Sequence, residues 1–241
     1  MGGTIATRFV GIALTVGTAA TTSVQGNTVA SIALGTSSGA ATTSGVLCGV
    51  NIISGNVNAG NVTPNTIGAT TGTGSLTVTS TTTQAAIVGF HSSSTGTVVI
   101  SNNNIGGFTS AGATASVAGA VFGVNVSGIA TSITITGNTI GNATADNMRA
   151  GVSGTTTGSS LASGINQTAA PLAYNYSNNT IQNLSSYGTG TGGYVRGIQS
   201  GTSANAAAVG TISGNTINNL TTSGAVSGQT SGNTAALGIQ V

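Results

Sequence analysis

The chain has 241 residues and almost no charge: Arg8, Arg149, Arg196 and Asp146 are its only charged side chains, His91 is its only imidazole, and the formal net charge is +2. Three scattered arginines without a lysine exclude recognition of a nucleic acid backbone, which draws its affinity from several cationic contacts to phosphates on one face. One aspartate without a glutamate excludes paired-carboxylate catalysis and metal sites of ordinary composition. No apolar run approaches the length of a membrane span. Low net charge and recurrent Val and Ile clusters also argue against disorder.

In chain order, the first segment, Arg8 through Val16, reads in two ways. One positive charge before an apolar stretch and small residues is the pattern of a signal peptide, but the same residues fit the repeat that runs through the chain, and the repeat is preferred. Cys48, the only cysteine, sits in the apolar run Val46 to Val50 and is expected to be a buried, inert thiol.

Two motifs recur. The first is an apolar residue, then a corner asparagine, one further residue, and Ile or Val. It reads Val24-Gln-Gly-Asn27-Thr-Val29, Val62-Thr-Pro-Asn65-Thr-Ile67, Ile100-Ser-Asn-Asn103-Asn-Ile105, Ile135-Thr-Gly-Asn138-Thr-Ile140, Tyr176-Ser-Asn-Asn179-Thr-Ile181 and Ile212-Ser-Gly-Asn215-Thr-Ile217. The asparagines are 38, 38, 35, 41 and 36 residues apart. The second motif is a glycine followed by an apolar residue, at Gly11, Gly49, Gly89, Gly123, Gly164, Gly197 (reached from Val195 through Arg196) and Gly238. In the fourth repeat, Arg149-Ala-Gly151-Val152 competes with Gly164 for that role.

Short alternating runs such as Ile133-Thr-Ile135-Thr are of strand type, too short for helices and free of helix caps. The Gly-Asn or Asn-Asn pairs after them tolerate left-handed backbone and so permit a sharp corner. Strand, corner and strand recurring at this period predict an all-β fold: one parallel β-solenoid domain over residues 1–241, of about six turns of roughly 38 residues with one long loop per turn. The stretches Gly106 to Ala118, Asn142 to Ala162 and Thr221 to Ala235 are expected to be those loops, projecting from one edge. Stacked turns lie about 4.8 Å apart. Like charges at that spacing repel by about 1 kcal/mol even in water. Thr, Ser and Asn ladders therefore stand where charges would repel.

The Gly-Ile pairs at Gly11, Gly197 and Gly238 and the Asn-Thr-Ile triplets at Asn65, Asn138, Asn179 and Asn215 resemble the right-handed parallel β-helix repeats of the pectin-lyase-like superfamily, in particular the non-catalytic arrays of large secreted bacterial surface proteins. The resemblance covers essentially the whole chain and implies a right-handed coil. It is specific for architecture and weak for function, because the superfamily holds enzymes, adhesins and passive stalks. Its hydrolases use clustered aspartates and its lyases acidic calcium ligands with a basic residue, neither of which Asp146 alone can build. His91 has no histidine or carboxylate near it in sequence.

The expectation is a non-enzymatic structural protein of an extracellular fibre or cell surface, with no catalytic, cofactor or metal residues. Neither end of the repeat carries a capping helix, so the expected partners are copies of the chain, stacked head to tail. The alternative is an adhesin segment that holds a glycan or surface ligand through its loops, with Tyr174, Tyr176, Tyr187 and Tyr194 clustered in the fifth repeat. Thr77-Val-Thr79 and Thr134-Ile-Thr136 suggest ice binding, but the motif is sporadic and thermal hysteresis is not expected.

Overall fold

Runs of β-branched residues punctuated by Gly and Asn favour strands over helices. The computed structural model describes residues 9–37, 44–200, 209–223 and 236–240, and among them every regular element is a β-strand. The first turn holds β1 (Phe9–Thr15), β2 (Thr21–Val24), β3 (Thr28–Val29) and β4 (Ile32–Thr36). The second holds β5 (Leu47–Ser54), β6 (Asn56–Ala59), β7 (Thr66–Gly68) and β8 (Leu76–Ser80). The third holds β9 (Ala85–Ser92), β10 (Thr97–Ser101), β11 (Asn104–Gly106) and β12 (Phe108–Gly112). The fourth holds β13 (Gly119–Val126), β14 (Ser132–Thr136), β15 (Thr139–Ile140) and β16 (Met148–Ala150). The fifth holds β17 (Leu161–Gln167), β18 (Ala173–Ser177) and β19 (Thr180–Ser186), and the sixth β20 (Tyr194–Gln199), β21 (Val209–Ser213) and β22 (Thr216–Thr222), after which β23 (Ala236–Gln240) follows.

Equivalent strands stack into three parallel sheets. Sheet A is β1, β5, β9, β13, β17, β20 and β23; sheet B is β2, β6, β10, β14, β18 and β21. Sheet C is bent into two limbs: β3, β7, β11 and β15 form one, β4, β8, β12 and β16 the other, and β19 pairs with both. The six passages make a parallel β-solenoid of about five turns of about 38 residues.

The register refines the sequence reading at three places. Phe122 pairs with Ser163 and Val124 with Ile165, so Gly164, not Gly151, is the sheet A glycine that follows Gly123; Met148–Ala150 belongs to sheet C instead. In the second turn Ala59, not Val62, stands between Val24 and Ile100 in the core column, because the chain from there to the corner asparagine is three residues longer than in those two turns. Val62 is 79% exposed. The stretches read as loops also contain strand: β12 lies inside Gly106 to Ala118, β16 inside Asn142 to Ala162, and β22 reaches Thr222. What remains of the long connection is the passage from sheet C back to sheet A. Residues 224–235, within the third stretch, lie outside the described residues, as do Arg8 and Val241. The alternative signal-peptide segment is in part β1.

The two motifs are halves of one contact. Each Ile or Val that follows a corner asparagine crosses the interior and lies on the sheet A glycine of its own turn. The pairs are Val29 on Gly11, Ile67 on Gly49, Ile105 on Gly89, Ile140 on Gly123, Ile181 on Gly164 and Ile217 on Gly197. A Cβ built at Gly89 would stand 2.6 Å from Ile105 Cγ2, and one at Gly164 2.6 Å from Ile181 Cγ2. The glycines are therefore required by the isoleucines opposite, which can reach that depth only where no side chain stands.

Candidate functional site

The corner asparagines are brought into a single column. Asn27 donates its backbone N–H (2.9 Å) and its Nδ2 (3.0 Å) to Asn65 Oδ1. Asn65 does the same to Asn103 Oδ1 (3.0 and 2.8 Å), Asn103 to Asn138 (2.9 and 3.0 Å), Asn138 to Asn179 (3.0 and 3.0 Å) and Asn179 to Asn215 (2.9 and 2.9 Å). The second Nδ2 proton turns back to a carbonyl of the preceding turn: Asn65 to Val24, Asn103 to Ala59, Asn138 to Ile100, Asn179 to Ile135 and Asn215 to Tyr176. An amide has two donors and a doubly accepting oxygen, and each inner corner uses all of them.

The residue before the asparagine makes the corner possible. Gly26, Asn102, Gly137, Asn178 and Gly214 all have φ between 56° and 66°, a region Gly and Asn reach at low cost. The second turn has Pro64 there, whose ring forbids positive φ, and the inserted Gly60 takes φ 81° instead. The column has a direction, all Oδ1 atoms accepting from the turn before. At its two ends the groups are complementary: among the described residues nothing donates to Asn27 Oδ1, and no oxygen accepts the Asn215 backbone N–H.

The seven glycines form a second column, in register from Gly11 to Gly238 through the pairs that flank them. Six carry an apolar side chain from the same turn; no described residue lies within 4 Å of a Cβ built at Gly238.

On the other face of sheet A, His91 is 3% exposed and held between Asn51 Oδ1 (Nδ1, 2.7 Å) and Ser127 Oγ (Nε2, 2.8 Å). Burial pushes its pKa down to about 4. Sequence reading gave His91 no partner, because Asn51 and Ser127 lie one turn away on either side, 40 and 36 residues distant. A serine, an imidazole and an asparagine in line have the outline of a nucleophile, base and orienter. Here the base is weak and enclosed. The backbone N–H groups of Ser127 and Gly128 both donate to the Ser92 carbonyl, so neither is free for a developing oxyanion. The arrangement keeps a neutral imidazole satisfied at the centre of the stack. Cys48, also buried, has its thiol pushed up to about 12 by burial, which leaves it protonated and unreactive.

The four tyrosines do not form one surface. Tyr176 is buried in the core with its hydroxyl on Gln167 Oε1, and Tyr174 packs beside it in sheet B with ring centroids 5.2 Å apart. Tyr187 follows the second limb of sheet C and donates to Asp146 Oδ1 at 2.8 Å, where Ser185 Oγ also donates. Tyr194 lies in sheet A under the Arg196 guanidinium, 3.7 Å from its ring centroid. The column Thr28, Thr66, Asn104, Thr139, Thr180 and Thr216 runs beside the corner with its side chains partly or fully exposed. Sheet B adds Thr97, Val99 and Ser101 beside Ser132, Thr134 and Thr136.

The features that distinguish this molecule are thus the directed asparagine column and the glycine column in register across sheet A. No family model, no curated protein and no solved structure matches the chain.

Proposed function

We propose that this chain is a non-enzymatic structural protein of an extracellular fibre or cell surface, a rod whose copies stack head to tail. The observation that carries this reading is the complementarity of the corner column's ends: Asn215 offers donors of the kind that every inner corner gives to the next oxygen, and Asn27 offers that oxygen. Around it, β2 and β3 at one end and β21 at the other have a sheet partner on one side only among the described residues. Unpaired parallel edges invite addition of another chain. A contact between two different surfaces of identical copies that does not close produces a filament. Uncharged Thr, Ser and Asn columns let turns of separate copies approach without repulsion.

A right-handed coil of the pectin-lyase-like type, without that superfamily's catalytic residues, accords with the strong preference for right-handed crossovers between parallel strands. Glycan binding by an adhesin segment has less support, because the tyrosines that would form its platform lie on separate sheets. Sedimentation and electron microscopy of the full chain over a concentration series test the proposal. Rods that lengthen in multiples of one solenoid are expected; single rods at every concentration would overturn it.

A further inference from the structure

Away from both columns, the second limb of sheet C gathers two of the four charged side chains of the chain. Arg149 stands in β16 between Met148 and Ala150, which lie in the core, so its side chain points outward. Its neighbours along the sheet are Thr77, Thr109, Ser185 and Thr221, all uncharged. Asp146 reaches the same place from the turn that leads into β16, because Ser185 and Tyr187 both donate to its Oδ1. Both charges act on the Tyr187 hydroxyl.

Yet the two are not paired. Among the described residues no ion pair or hydrogen bond takes up the Arg149 guanidinium, and its Nε is buried without an acceptor. A buried donor left without a partner is costly. Asp146 is held in position by the two hydroxyls on Oδ1 and by a left-handed backbone, φ 55°, and its Oδ2 receives no bond from either hydroxyl. The chain therefore presents a fixed carboxylate oxygen and an unanswered guanidinium side by side on its outer surface.

We infer that this pair is a lateral contact between two copies of the chain, in which Arg149 of each copy meets Asp146 of the other about a two-fold axis. Asp146 is the only side-chain carboxylate in the sequence, so among identical chains the acceptor that Arg149 lacks is supplied by Asp146 of another copy. A two-fold axis that bisects the line between the two groups lays each on its opposite, and one patch then completes itself twice. The surroundings do not oppose the approach: Ala143, Thr144 and Ala145 are exposed and uncharged beside Asp146, and Val152 beyond β16 is 36% exposed. A guanidinium bonds a carboxylate through two parallel N–H groups, and Nε with one terminal nitrogen forms such a fork. An exposed ion pair contributes little. Two pairs closed off from water between rods couple more strongly and set which surfaces meet. The contact uses the side of the solenoid and neither of its ends, so it and head-to-tail stacking stand or fall separately.

Charge reversal in the full chain tests the contact, with sedimentation for mass and electron microscopy for width. Wild-type rods are expected to pair side by side. Arg149→Glu, which puts two acids in the patch, and Asp146→Lys, which puts two bases there, are each expected to pair at least about tenfold more weakly. An equimolar mixture of the two restores both ion pairs and is expected to pair again. The neutral set Arg149→Gln and Asp146→Asn covers a reversal that fails to fold, because Asn tolerates the left-handed φ at position 146. Each of these alone lacks both ion pairs, and their mixture regains one. Single variants that pair like the wild type, or mixtures that pair no better than their components, overturn the inference. Rods that lengthen at single width remove the pairing and leave the fibre; paired rods that never lengthen leave the pairing and remove the fibre; single rods throughout remove both.

Discussion

β9 and β1 occupy the same sheet, face the same neighbours in kind and carry the same glycine motif, yet all eight residues of β9 are buried while β1 alternates between exposed and half-buried. The sequences Ala85-Ala-Ile-Val-Gly-Phe-His-Ser and Phe9-Val-Gly-Ile-Ala-Leu-Thr do not explain this, since both are apolar. Position does. β9 has β5 on one side and β13 on the other, whereas among the described residues β1 has only β5. In a solenoid each turn interacts chiefly with the turns beside it, so stability is a sum of nearest-neighbour terms and an outer turn has one such term where an inner turn has two.

The comparison is broken most strongly at the corner. Asn138→Leu leaves the Asn103 N–H without its acceptor inside the stack and takes one bond each from Asn103 Nδ2 and the Ile100 carbonyl. One buried orphan at about 1 to 3 kcal/mol and two lost bonds at about 1 kcal/mol each give an expected loss of about 4 kcal/mol in chemical denaturation. Asn27→Leu, at the outer turn, should cost about 1 kcal/mol or less, because water reaches the groups it releases. Equal losses would mean that the column acts as one unit and not as separate rungs.

The glycines sharpen it next. Gly123→Val would drive a side chain into Ile140 and the Gly164 carbonyl, with a Cβ only 2.5 Å from Ile140 Cγ2. An expected cost of about 3 kcal/mol follows from overpacking a site that has no room to relax. A Cβ at Gly238 meets none of the described residues, and Gly238→Val should change stability by less than about 0.5 kcal/mol. Thermal melts of the two variants side by side measure the contrast.

The smallest effect is a pH dependence. The His91 pKa is near 4 in the folded chain against an ordinary 6.5, so the unfolded chain takes up a proton first as the solution is acidified. Stability is therefore unaffected by this group above about pH 6.5, falls between about 6.5 and 4, and levels off below, with a total loss of about 3 kcal/mol. His91→Gln should flatten denaturation midpoints across that window. A profile that keeps its slope in the variant would place the titration elsewhere.

The corner asparagines and sheet A glycines were legible because a repeat writes the same requirement six or seven times. A left-handed residue before Asn27, Asn103, Asn138, Asn179 and Asn215, and a bare Cα under each isoleucine, leave few residue types that fit. A further signal lay in the sequence unread. Gly141, Asn183 and Asn219 follow the corner isoleucines with φ of 78°, 55° and 51°, and mark the bend between the limbs of sheet C that makes strand of what looks like loop. The second-turn insertion was hidden because Val62 satisfies the spacing of the motif as well as Ala59 does, and only the pairing partners of β6 tell them apart.

What the sequence by itself determined is what one turn requires: its apolar columns, its corners and the near absence of charge, each a local rule repeated at a period of about 38 residues. What only the tertiary structure decided is whatever joins different turns. That includes the enclosure of His91 by Asn51 and Ser127, the dispersal of the tyrosines over separate sheets, and the extra strand that sheet A holds over sheet B. These relations link residues some 40 positions apart at a strand spacing of about 4.8 Å, and no local pattern records which neighbour the stack will supply.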